Sequence, residues 1–153
     1  MNRTKTREVT MKLLFEMIIK KEEYINILED LKEANKEEEN VTELMGIEKE
    51  KDPESTDLDE VDMGYIIRLL KGIQDNEKKI DETIEKYLSN WKLNRLAKVD
   101  LAILRLATYE ILFEENIPNK VSINEAVELA KKYGEDKSPA FINAVLDKIV
   151  KEQ

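Results

Sequence analysis

Apolar residues recur along this chain at intervals of three and four, the period of helices that bury one face. Val9, Leu13, Leu14, Met17 and Ile18 predict an amphipathic helix from about Thr4 to Lys20. A sparser stripe of Ile25, Leu28 and Leu31 predicts a second, from Glu22 to about Glu33. The pattern then lapses. Residues 34–57 carry few large apolar side chains, dense charge, one Gly and one Pro, which predicts a mobile acidic loop, either an insertion or a tether.

Helical spacing resumes with Val61, Tyr65, Ile66, Leu69, Leu70 and Ile73. Asp75 or Asn76 is placed to cap the next helix, whose stripe is Ile80, Ile84 and Leu88. After a break near Trp91, the segment Val99 to Phe113 is apolar on nearly every side, as suits a central helix surrounded by others. Ser122 and Glu125 have the spacing of a capping box for a helix with Ile123, Ala126, Val127, Ala130 and Tyr133 on its inner face. Gly134 fits a left-handed position just past its end. Ser138 followed by Pro139 reads as N-cap and first-turn proline of a last helix, with Ile142, Val145, Leu146 and Ile149 facing inward. The expected fold is all-α, seven helices without a strand or an internal repeat.

Length and composition narrow the function. A chain of 153 residues suits one domain with a real core. No run approaches the ~18 uninterrupted apolar residues of a membrane span, and the opening residues lead into no cleavable signal, so a cytosolic location is expected. Cys and His are both absent, which removes disulfides, thiolate metal sites and the commonest general base. Carboxylates abound, but without metal-ligand spacing or a glycine-rich phosphate loop they read as solvated helix faces. Neither an enzyme nor a cofactor is expected.

The net charge of −9, taken over the whole chain, opposes nucleic-acid binding, yet its distribution changes that reading. Glu29 to Glu60 hold 14 acids and 4 bases, leaving 20 acids against 21 bases elsewhere. The first 21 residues hold Arg3, Lys5, Arg7, Lys12, Lys20 and Lys21 against Glu8 and Glu16. Arg3, Lys5 and Arg7 are either a solvated terminus or a phosphate-facing patch; cations at a helix amino end are not favoured by the macrodipole, which points toward the patch. Phe15 projects roughly 100° away from its helix's apolar stripe, and Phe141 falls at the rim of the last one. Each is either a base-stacking platform or peripheral packing, and Tyr87 shares the ambiguity.

The runs LAKVDLAILRLATYEILF, IPNKVSINEAVELAKKYG and SPAFINAVLDKI, in this order and with short links, resemble the carboxyl-terminal region of the NusB family of transcription antitermination factors. The match is strong over about Tyr87 to Ile149, moderate over TKTREVTMKLLFEM, and absent over residues 34–57. The resemblance implies two small helical bundles packed together. It also implies binding to the boxA element of ribosomal RNA leader transcripts, jointly with the small-subunit ribosomal protein known as NusE, and assembly with other Nus factors on RNA polymerase. By position it implies phosphate contacts from Arg3, Lys5 and Arg7, RNA-facing aromatics at Phe15, Tyr87 and Phe141, and an acid for the ribosomal-protein interface at Asp100. The chain departs from the family's usual pattern with Thr4 and Thr6 among its opening bases, Lys137 for an acid, Ala140 for a base and Ala144 for Gly. Lys137 adds a candidate phosphate contact. Two other functions fit the residues: a structural adaptor or homodimer acting through protein contacts alone, and a relative of the NusB-like module of ribosomal RNA methyltransferases, for which the chain lacks a cofactor-binding domain.

Overall fold

In the computed structural model, residues 2–45, 61–89 and 92–153 are described. Their order is α1 (Arg3–Lys20), α2 (Tyr24–Met45), α3 (Met63–Asp75), α4 (Glu77–Lys86), a 3-10 turn (Leu93–Arg95), α5 (Lys98–Phe113), α6 (Asn119–Tyr133) and α7 (Ser138–Lys151). These are the seven α-helices the periodicity implies, and no strand occurs among the described residues.

Helix α1 starts where the Asn2 side chain accepts from the Lys5 amide at 3.1 Å. It ends at Lys21, which takes the left-handed conformation (φ 56°) and donates its N–H to the Met17 carbonyl. Asp62 caps α3 by accepting from the Tyr65 amide at 3.1 Å. The expected inner faces of α1, α3, α4 and α7 are the ones that pack: Val9, Leu13, Leu14, Leu69, Leu70, Ile80, Ile84, Ile142 and Leu146 are all buried.

Helix α5 is the axis of the fold. It packs against α1, α3, α4, α6 and α7, with Ala102, Ile103 and Leu104 fully enclosed. Helices α1, α2 and α3 contact one another on one flank; α6 packs on α7, and α7 on α4, on the other. Helix α3 approaches α5 closely at Gly72. A Cβ there would stand 2.7 Å from Cε2 of Tyr109, whose ring stacks on Phe113 with centroids 5.1 Å apart.

Several expected details change. Residues 34–45 of the anticipated loop are helical, since α2 continues to Met45; residues 46–57 of that segment, like Trp91, lie outside the described residues. Glu, Lys, Ala and Leu are all good helix formers, and no Gly or Pro interrupts the run before Gly46, so scarcity of apolar residues did not end the helix. Ile27 and Leu28 form the inner face of α2, while Ile25 is 49% exposed.

Ser122 and Glu125 make no capping box. Pro118 starts α6 a turn earlier, so Ser122 lies inside the helix and donates to Glu110 instead. Glu125 accepts from the Thr4 hydroxyl at 3.0 Å. Ser138 is the first residue of α7 rather than its N-cap, and its Oγ accepts from the Glu135 amide. Gly134 is extended (φ −88°, ψ −173°), not left-handed. Glycine is needed there for space: a Cβ would come within 2.7 Å of the Ser138 Cβ.

Candidate nucleic-acid interface

The amino end of α1 lies along α6. Thr4 reaches Glu125, and one turn on Glu8 accepts from Lys132 at 2.7 Å and from the Tyr133 hydroxyl. Burial works against ionisation of Glu8, but the bonds from Lys132 and Tyr133 outweigh it and hold its pKa below the ordinary carboxylate value. Lys12 and Lys132 both stand over the Tyr133 ring, 5.4 and 5.3 Å from its centroid. Gly134 follows directly, and the short link 135–137 leads to Lys137 and Phe141. A band of cations and rings therefore runs from the start of α1, past the end of α6, to the start of α7.

Each residue singled out in the sequence has a definite place relative to this band. Arg3 is exposed and lies over the Tyr65 ring at 4.0 Å, with Asp62 at 3.9 Å. Lys5 is half-buried one turn before Glu8. Lys137 is exposed, and Phe141 is half-buried against the core with part of its ring at the surface. Phe15 is also half-buried and packed on the core cluster.

Tyr87 lies apart. Its hydroxyl donates to Glu152, beyond the far end of α7, and Lys86 pairs with the same carboxylate at 3.3 Å. Eleven residues of helical rise separate Glu152 from Phe141, about 16 Å along the axis, so Tyr87 and Phe141 do not share a surface.

Arg7 departs from the expectation of a phosphate contact. It is 4% exposed, and its Nε donates to both carboxylate oxygens of Glu110 at 2.9 and 3.1 Å. Glu110 also accepts from the Tyr65 hydroxyl and the Ser122 hydroxyl, each at 2.9 Å. Four helices thus meet at one buried carboxylate. Burial alone would lower the arginine's pKa, but Glu110 more than offsets this and raises it. The Tyr65 hydroxyl is pushed up by burial and by the neighbouring carboxylate.

Asp100 is nearly enclosed. Expected to meet a partner's basic side chain, it is 9% exposed in the first turn of α5 and lines a cleft of about 490 Å³ with Arg95, Leu96, Glu135, Lys137, Ser138 and Phe141. Burial, with a smaller push from Glu135, raises its pKa; a hydrogen bond with Ser138 opposes this incompletely. The folded protein therefore binds the Asp100 proton more tightly than the unfolded chain does. Its ionisation costs stability as pH rises from the unfolded value near ~3.9 through the raised folded value. Accordingly, Asp100→Asn raises the urea midpoint at pH 7 and narrows its advantage on acidification toward pH 4. A variant less stable than wild type at neutral pH contradicts this.

Sequence reasoning counted Lys12 only in the charge of the first 21 residues and missed Lys132, Tyr133 and Arg95. Tyr133 read only as part of a core stripe, and nothing local shows that Lys12 and Lys132 flank the same ring. Among the described residues no group of three or more acidic side chains is placed to hold a metal ion, and no helix is long and apolar enough to cross a membrane.

The model of the NusB family matches residues 4–151. This chain belongs to the NusB family. It is 65% identical over 152 residues to the transcription antitermination protein NusB of Clostridium tetani, the match covering 99% of each chain. Among solved structures it is similar to T. maritima NusB, with a TM-score of 0.75 at 36% identity over 100% of this chain and 93% of that one. It is also similar to a chain in the crystal structure of the antitermination factors NusB and NusE in complex with dsRNA, with a TM-score of 0.72 at 26% identity over 99% and 97% of the two chains. The all-helical architecture and the family membership expected from the three carboxyl-terminal runs both hold.

Proposed function

We propose that this NusB-family protein is a transcription antitermination factor that binds boxA-type RNA of ribosomal leader transcripts together with the ribosomal protein NusE. Through that pair it acts with other Nus factors and RNA polymerase. The observation that carries the reading is the band running from α1 past α6 to α7, a cationic and aromatic surface on a chain whose net charge is −9. The similar NusB chain bound to NusE and dsRNA supports the same assignment. Arg3, Lys5 and Lys137 supply phosphate contacts, Phe141 a stacking face, and Lys12 and Lys132 extend the path. Tyr87 and the buried Arg7 fall outside this surface. Phe15, half-buried against the core, is assigned to its edge. The protein does no chemistry of its own, needs no cofactor and works in the cytoplasm.

A surface with so few cations binds RNA weakly alone. A bound protein that offers a second RNA contact makes the first effectively intramolecular and raises overall affinity. Electrophoretic shift of a boxA-type RNA therefore strengthens by at least roughly tenfold when NusE is added. Equal affinity with and without NusE overturns this mechanism. RNA-free association of the chain with itself or other proteins, with no shift at any concentration, overturns the RNA reading in favour of a protein adaptor.

A further inference from the structure

Where α1 meets the end of α6, one carboxylate oxygen gathers more donors than a packing contact requires. The Glu8 Oε1 accepts from Lys132 Nζ at 2.7 Å and from the Tyr133 hydroxyl, and Lys12 Nζ stands 4.0 Å from the same atom. Glu110 shows the contrasting arrangement. It is 1% exposed and divides its bonds from Arg7, Tyr65 and Ser122 between both oxygens. The Glu8 side chain is 21% exposed and Lys132 is exposed beside it, so this cluster opens to solvent where the Glu110 cluster does not.

We propose that Glu8 occupies a site for an RNA backbone phosphate, and that RNA binding exchanges its carboxylate for a non-bridging phosphate oxygen. The inference rests on the RNA-binding reading above and adds to it an internal competitor that limits affinity. Two ammonium groups and a hydroxyl converging on one anionic oxygen are the donors that a phosphate takes. Tyr133 holds them together: it is half-buried, and both lysines stand over its ring, 5.4 and 5.3 Å from the centroid. The cluster lies within the cationic band, between the start of α1 and Lys137.

The exchange needs only a side-chain rotation, because the flanking Arg7 and Val9 keep that turn of α1 in the core. Its effect on affinity follows from charge. A lysine already neutralised by Glu8 has no counterion to release when RNA arrives, so the site adds little to binding while the carboxylate is present. The site meets the backbone and not the bases, so the competition falls on every RNA alike. Glu8 thereby keeps the affinity of the isolated protein low and leaves strong binding to RNA that a bound protein partner also holds.

The test uses fluorescence anisotropy of the full chain with a single-stranded boxA-type oligonucleotide across salt concentrations. Glu8→Gln binds about fivefold tighter than wild type at 0.1 M salt, and its slope of log affinity against log salt steepens by roughly 0.7, one phosphate contact on a single strand. Glu8→Asp keeps the charge but shortens the reach toward Lys132 and Tyr133. It gains part of that affinity and provides a second variant should Glu8→Gln fold poorly. Lys132→Ala removes most of the gain from Glu8→Gln yet changes wild-type binding little. Glu16→Gln removes the same charge two turns further along α1, from a loose pair with Lys20 at 3.9 Å, and changes binding little. Wild-type affinity and slope in folded Glu8→Gln and Glu8→Asp overturn the proposal and leave Glu8 as a clip between α1 and α6. An equal gain in Glu16→Gln overturns it too, since net charge alone would then account for the effect. Absence of salt-dependent RNA binding by the wild-type protein, with or without NusE, ends the RNA reading itself.

Discussion

Arg7→Ala melts on the order of 10 °C below the wild-type protein. The side chain is enclosed, and its removal leaves the Glu110 carboxylate buried with two neutral hydroxyl donors and no counter-charge. Breaking one side of a buried pair costs about 3–5 kcal/mol, and in a chain of this size each kcal/mol moves the midpoint by about 2–4 °C. Most of the loss comes from the stranded charge. Adding Glu110→Gln to Arg7→Ala therefore recovers part of it, although Arg7→Ala leaves a cavity that the second change does not fill. Differential scanning calorimetry of the three proteins checks both statements. At a temperature where Arg7→Ala is folded, the salt dependence of RNA binding stays that of wild type, because Arg7 faces Glu110 and not solvent. A shallower slope in this variant would return Arg7 to the RNA surface.

Replacing Arg3, Lys5 and Lys137 together by Ala has the opposite signature: stability changes little and RNA binding changes greatly. Arg3 and Lys137 are exposed and Lys5 is half-buried, and an ion pair at the surface such as that of Arg3 with Asp62 at 3.9 Å contributes little to stability. Each phosphate contact on a single strand contributes roughly 0.7 to the slope of log affinity against log salt, so losing three flattens it by about 2. At 0.1 M salt, counterion release on that scale corresponds to on the order of a hundredfold in affinity. A filter-binding titration across salt concentrations measures both. An unchanged slope would remove these three residues from the site.

Much of this was legible in the chain, and the illegible parts share a cause. The seven helices follow from a periodicity visible within each segment, and the family follows from three runs whose order and links are themselves sequence properties. Local start signals proved less secure. Ser122 with Glu125 has capping-box spacing, but Pro118 starts the helix earlier, and the Ser122 hydroxyl donates to the buried Glu110 carboxyl group instead of accepting from a helix amide. Gly134 is required by the nearness of Ser138 and not by its own dihedrals.

The same cause divided the site. Arg3, Lys5 and Arg7 alternate along one cationic stretch with nothing local to tell them apart. Glu110, 103 positions away, decides that Arg7 belongs to the core.

The sequence by itself determined that the chain forms seven helices, although it ended α2 short of Met45, that α5 is central, and where the charge is concentrated, because those properties depend mostly on neighbours within a turn or two of chain. Only the tertiary structure decided which charged and aromatic side chains face outward together. A carboxylate at Glu110 withdraws Arg7, Glu152 holds Tyr87 at the far end of α7, and the packing of α5 on α7 encloses Asp100 beside Phe141. Each of these outcomes depends on a partner far off in sequence, whose Coulomb and hydrogen-bond energy exists only once the helices are packed and water is excluded between them.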